Sequence, residues 1–114
     1  MERLDTDRRD SVPGWATRQG FAGNAKAVAG ARVFAQVGCL NCHTYSGTGS
    51  SNVGAPDLTA IGRVSGRSAK EFADYVANPS KFGNQVMPRF AELGRARLLE
   101  LGAFLAASRG ARQS

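Results

Sequence analysis

The sequence is poor in sulfur and imidazole: two cysteines, two methionines and one histidine among 114 residues. The cysteines and the histidine together fall short of the four ligands that a structural zinc site uses. Isoleucine is nearly absent, whereas Ala, Gly, Arg and Leu are common. That balance favours helices and loops over a sheet. No apolar run approaches the about 20 residues needed to cross a bilayer. The opening residues, Met1-Glu2-Arg3-Leu4-Asp5, lack the apolar stretch of a secretory signal. The chain therefore reads as a mature form, a domain cut from a larger protein, or an intracellular protein.

What is present is the composition of one small globular domain, 42% hydrophobic and 21% charged. Fifteen basic and nine acidic side chains give a formal charge of +6. The first ten residues hold three Arg and four acids, so the excess of positive charge lies in the remainder. Such a surface favours anionic partners. Nucleic acid is disfavoured among them, because the basic residues are scattered and no nucleic-acid-binding motif occurs.

Residues 1–24 read as an N-terminal extension and 25–114 as the domain. The extension is broken by Pro13, Gly14, Gly20 and Gly23, and Trp15 and Phe21 are its large apolar anchors. A first helix is expected from Ala25 to Val37, with Asn24 as N-cap and Ala27, Gly30, Ala31 and Phe34 on one face. Gly38 supplies its stop. Residues 44–64 read as loop. A second helix opens at the capping box Ser68-Ala69-Lys70-Glu71, buries Phe72, Tyr75 and Val76, and ends at Asn78-Pro79. After a loop from Ser80 to Phe90, a third helix runs from about Glu92 to Ser108 with Leu98, Leu101, Phe104 and Leu105 as its buried stripe. Three modest helices and two long loops make a core short of material for its size. A large apolar cofactor would fill the core and give the loops something to wrap.

Both cysteines and the histidine sit together as Cys39-Leu40-Asn41-Cys42-His43. This is C-x-x-C-H, the attachment signal for c-type haem. Two thiols at this spacing can add to the two vinyl groups of one porphyrin, and the next residue places an imidazole under the iron. The rival readings fit less well. A thioredoxin-like pair lacks a surrounding βαβ pattern, zinc lacks a fourth ligand, and a simple disulfide leaves His43 unexplained. His43 is the single histidine, so two-histidine ligation within one chain is impossible, and the remaining soft ligands are Met1 and Met87. Met1 begins a polar stretch. Met87 lies in Val86-Met87-Pro88-Arg89-Phe90, where Pro88 stiffens the loop and biases Met87 toward an extended backbone. His/Met ligation raises the reduction potential relative to two nitrogen ligands.

At these residues the chain resembles the class I cytochrome c family. The resemblance covers roughly residues 25–108 and rests on four pieces in order. These are Gly30 and Phe34 in a helix before the haem signal; Cys39 to His43; Gly54-Ala55-Pro56-Asp57-Leu58 followed by Gly62-Arg63; and Asn78-Pro79, Met87-Pro88 and the helix with Leu101, Phe104 and Leu105. It implies an all-α fold of three or more helices with long loops wrapped around one haem, covalent through Cys39 and Cys42, with His43 and Met87 on iron. It implies that Gly30 and Phe34 pack against Leu101 and Phe104, and that the Pro56 carbonyl accepts from the His43 Nδ1–H. Ala55 stands between Gly54 and Pro56, where many members have Gly-Pro directly. Arg63 matches the family arginine near a haem propionate, and Tyr75 lies where the family often has a tyrosine touching the ligand sulfur.

The function implied is single-electron transfer by an electron carrier, not an enzyme, between redox protein partners acidic at their docking surface. Lys81, Arg89 and Arg32 would steer such partners. The alternative is a fixed haem-c subunit or domain of a quinol–cytochrome c reductase or terminal oxidase, touching a membrane only through its complex or a removed anchor. A five-coordinate haem enzyme or gas sensor is the lesser alternative. Haem attachment to such a signal implies a periplasmic or extracytoplasmic location.

Overall fold

The computed structural model describes residues 11–36, 39, 43–45, 48–49, 57–84, 87 and 89–110. Along them run α1 (Val12–Gln19), α2 (Ala25–Gln36), β1 (Thr44–Tyr45), β2 (Thr48–Gly49), α3 (Ile61–Ser65), α4 (Ala69–Ala77) and α5 (Arg95–Ala107). Short 3-10 turns fall at Pro79–Phe82 and Ala91–Leu93. The described structure is mostly helical. Its strands are a two-residue antiparallel ladder that pairs Thr44 with Gly49 and Tyr45 with Thr48.

Local chemistry accounts for α2 and α4. The Asn24 Oδ1 accepts from the Ala27 N–H at 3.1 Å, capping α2. Ser68 caps α4 as half of a reciprocal box: its hydroxyl accepts from the Glu71 N–H at 3.1 Å, and the Glu71 carboxylate accepts from the Ser68 N–H at 2.8 Å. The expected buried faces are found. Ala27, Gly30, Ala31, Phe34 and Ala35 of α2 are buried, as are Leu98, Leu101, Gly102, Phe104 and Leu105 of α5. On α4, Phe72 and Val76 are buried and Tyr75 is half-buried.

Glycine lets these helices approach at the backbone. A β-carbon on Gly30 would overlap the Glu100 carbonyl of α5, and one on Gly102 would overlap the Ala69 carbonyl of α4. Gly62 of α3 meets α5 near the carbonyls of Leu105 and Ala106, and its N–H donates to the Ser108 carbonyl at 2.8 Å. So α2, α3 and α4 all close onto α5. Outside the apolar contact, Asp74 of α4 takes hydrogen bonds from Arg95 at 2.9 Å and Lys70 at 3.1 Å, which hold its carboxyl below the ordinary value.

Two helices fall where loop or extension was expected. Pro13 stands in the first turn of α1, where its missing N–H costs nothing, and Gly20 ends the helix at φ 79°. Val12, Trp15, Ala16 and Gln19 form its buried face at spacing i, i+3, i+4, i+7. The polar Gln19 hides that pattern in the sequence. Phe21 follows into the core, so the stretch that reads as an extension supplies core side chains. The other unexpected helix, α3, is a single short turn-and-a-half ended by Gly66 at φ 69°.

Trp15 completes an aromatic cluster. Its ring lies 4.7 Å from Tyr45 and 6.0 Å from Phe34, and Phe104 lies 4.9 Å from Tyr45 and 5.0 Å from Phe34. Burying each phenylalanine contributes roughly 1.5–3 kcal/mol. The core therefore holds more apolar material than three helices alone provide.

One polar chain threads this cluster. Gln19 Nε2 donates to the Tyr45 hydroxyl at 2.8 Å and to the Thr59 carbonyl at 3.0 Å. Ser108 Oγ donates to the Phe104 carbonyl at 2.7 Å, so the 2.6 Å contact between hydroxyls has Tyr45 donating to Ser108. Gln19 Oε1 accepts from the Gly110 N–H at 3.1 Å. Desolvation of the buried phenol outweighs these bonds and pushes the Tyr45 pKa up to about 12.

Candidate functional site

The C-x-x-C-H segment begins three residues after α2. Cys39 is buried in the core, and its carbonyl accepts from the His43 N–H at 2.9 Å. That i→i+4 bond ties the last residue of the motif to the first. His43 is half-buried and leads directly into β1, where Tyr45 is anchored in the aromatic cluster. The motif is thus pinned to the core at both ends, by Cys39 at its start and Tyr45 just after it. Cys42 lies outside the described residues, as do Gly38 and the Gly54-Ala55-Pro56 step.

Met87 is half-buried and packs against the core. The loop that carries it is tied back to α4 and to the 3-10 turn that follows α4. The Asn84 N–H donates to the Pro79 carbonyl at 3.1 Å after Gly83 turns the chain at φ 90°, and the Phe90 N–H donates to the Val76 carbonyl at 3.1 Å. Between these points, Asn84 Oδ1 accepts from the Met87 N–H at 3.0 Å, and Asn84 Nδ2 donates to the Tyr75 hydroxyl at 3.0 Å. The Tyr75 ring carries the Arg67 guanidinium 4.9 Å from its centroid and lies 5.3 Å from the ring of Phe82. Tyr75 is therefore joined to the Met87 backbone through Asn84.

Arg63 is exposed on α3, and its Nε donates to the Arg109 carbonyl at 3.3 Å. There it braces α3 against the chain just past α5. Lys81 and Arg89 are exposed on either side of Met87, and the sequence from Pro79 to Phe90 contains no acidic residue. Arg32 is exposed on α2.

Sequence reasoning passed over Asn84 and Gln19. Each is an amide in a stretch with other polar residues, and Asn84 is followed directly by Gln85. Asn84 stands three residues before Met87, a spacing at which an Asn side chain commonly takes a backbone N–H, and that was the available signal.

The soft donors that these elements carry are the Cys39 thiol, the His43 imidazole and the Met87 thioether. Among the described residues no group of three or more His, Cys, Asp and Glu side chains gathers into a metal site. No described helix is long and apolar enough to cross a membrane. No protein family, curated protein or solved structure matches the chain.

Proposed function

We propose that this chain is an electron carrier with one c-type haem, attached through Cys39 and Cys42 and ligated by His43 and Met87. The observation that carries the reading is the C-x-x-C-H sequence, whose first and last residues are joined by the bond from the His43 N–H to the Cys39 carbonyl. The backbone bond brings the first and last residues of the motif close, which supports attachment and ligation of a single porphyrin by this segment. The donor set fits the group, since imidazole and thioether are both ligands that haem iron takes.

The crossing of α2 and α5 supports a class I cytochrome c fold. Gly30 meets the α5 backbone at Glu100, and Phe34 packs on Phe104, as that resemblance implies. In this reading α2 and α5 form the frame, His43 hangs from it by the bond to Cys39, and Met87 faces it from the loop tied to α4.

When bound, the haem supplies a one-electron couple. The chain's own residues set its terms. The Pro56 carbonyl would accept from the His43 Nδ1–H, fixing the tautomer and raising the basicity of the imidazole toward iron. Arg63 would turn from the Arg109 carbonyl to a propionate. Tyr75 would support the Met87 side. With His43 and Met87 both holding the haem, no position would remain for a substrate, so electron transfer is favoured over bond chemistry. Acidic redox proteins are the partners, and the location is periplasmic or extracytoplasmic, where such haem attachment normally occurs.

The test is a visible spectrum with a haem-to-protein ratio, on protein produced with the c-type attachment machinery. One haem per chain that survives denaturation and acid–acetone extraction is expected. Protein without haem, or haem removed by extraction, would overturn the proposal.

A further inference from the structure

We propose that Asn84 is a positioning residue that locks Met87 in place as an iron ligand from α4; the inference rests on the reading of Met87 given above. The two ends of its amide are used in opposite directions. Oδ1 holds the Met87 N–H at 3.0 Å, and Nδ2 holds the Tyr75 hydroxyl at 3.0 Å. The Asn84 backbone is itself set by its N–H bond to the Pro79 carbonyl and by the left-handed Gly83 before it.

Tyr75 is a firm post for this clamp. It belongs to α4, a helix with a complete capping box, and its ring is flanked by Arg67 and Phe82. The position of Met87 is thus referred to a helix packed on α5, rather than to the loop it occupies. Asn serves both ends as a neutral amide. Asp keeps the acceptor for the Met87 N–H and can hold Tyr75 only by reversing that bond so that the hydroxyl donates, and Ala offers neither.

The consequence concerns ligand competition. A neutral thioether is a weak ligand for oxidised haem iron, and an external imidazole competes with it. The competition depends on how completely the loop holds Met87 in its bound position, because each external ligand must displace it. Releasing the clamp lowers the fraction of chains with Met87 in place and raises the apparent affinity for imidazole.

The experiment titrates imidazole into the oxidised holoprotein, followed by visible spectroscopy, alongside amide exchange at Met87. Asn84→Ala should bind imidazole about tenfold more tightly than wild type, the change expected for two lost hydrogen bonds of ordinary net strength. Its Met87 amide should exchange faster. Tyr75→Phe keeps the Met87 half of the clamp and should fall between Asn84→Ala and wild type, whereas Asn84→Asp, which can accept from both the Met87 N–H and the Tyr75 hydroxyl, should bind imidazole nearly as wild type does. Tyr75→Phe also keeps both ring contacts, so it serves as the second variant if Asn84→Ala does not fold. Ser68→Ala loosens α4 at its cap without touching the clamp; it should melt earlier yet bind imidazole as wild type does. Met87→Ala should bind most tightly.

Wild-type imidazole affinity in both Asn84→Ala and Tyr75→Phe, with tight binding in Met87→Ala, would overturn the clamp and leave Met87 as the ligand. Tightening in Ser68→Ala equal to that in Asn84→Ala would also overturn it, as general loosening. Wild-type affinity in Met87→Ala would remove the ligand assignment and the clamp's role with it.

Discussion

Gly30 of α2 is seated on the Glu100 carbonyl of α5, where a β-carbon would overlap the carbonyl oxygen. Helix propensity alone favours Gly30→Ala by about 1 kcal/mol. The crossing reverses that preference, because the neighbour is backbone and cannot turn aside. Gly30→Ala is expected to lose about 1–3 kcal/mol in urea unfolding, the usual cost of overpacking. Gly23→Ala, at a glycine with nothing within 4 Å of the new carbon, should change stability little. Equal effects at the two positions would show that the crossing is not tight.

The helix α1 should be integral to stability. Trp15 is 1% exposed and touches Phe34, Tyr45 and Phe104. Trp15→Ala is expected to cost about 3–5 kcal/mol. Gln19→Leu removes the amide that joins Tyr45, Thr59 and Gly110, and should cost about 1–3 kcal/mol by leaving those groups without it. Both are read from denaturant midpoints; a Trp15→Ala midpoint equal to wild type would mean that α1 is not docked in solution.

Tyr45 predicts an alkaline loss of stability. Its pKa rises from 10.0 to about 12 on folding, chiefly through desolvation. Above pH 10 the unfolded chain gives up this proton and the folded chain keeps it, so unfolding is favoured as pH rises. The contribution is complete below pH 10 and gone by about pH 12. Tyr45→Phe should be less stable at neutral pH, having lost its bonds to Gln19 and Ser108. Its stability should fall less steeply through that alkaline window, and parallel slopes for the two proteins would refute the assignment.

On the haem reading, oxidised protein should show the weak absorption band of iron–methionine sulfur ligation. Met87→Ala should abolish it, lower the reduction potential and let carbon monoxide bind the reduced protein. Met1→Ala should do none of these. The opposite pattern would move the sixth ligand to Met1.

Lys81 and Arg89 flank Met87 in a segment without acids. Electron transfer to an acidic partner should slow as salt rises, since the Debye length falls from about 10 Å at 0.1 M to about 3 Å at 1 M. Lys81→Glu and Arg89→Glu should slow it further at low salt. Rates that ignore both salt and charge reversal would indicate that these side chains serve solubility alone.

The parts of this protein legible in its sequence are those whose signal is local. The Ser68 box, the Asn24 cap and the buried faces of α2 and α5 each depend on residues within a turn or two of one another, and each appears as read. The C-x-x-C-H spacing is local too, and the Cys39–His43 backbone bond lies within it. Polar residues buried by distant partners could not be read this way. Gln19 looks like a surface amide until its oxygen meets the Gly110 N–H, 91 residues away. Without that contact the face Val12, Trp15, Ala16 and Gln19 breaks at its last member, and Pro13 and Gly14 read as breakers instead of a first turn. Asn84 presents the same difficulty, because its value lies in a Tyr75 hydroxyl on another element.

The sequence by itself determined the helices with their own caps and stripes, and the one segment where thiols and imidazole stand together. Spacing along a chain suffices for those, since a turn of helix brings near neighbours into contact wherever it forms. The tertiary structure alone decided that α1 belongs to the core, that three glycines seat the helices on α5, and that Met87 is held from α4. Those depend on which distant backbones meet and which buried donors find acceptors, and neither is fixed until the chain has closed on itself.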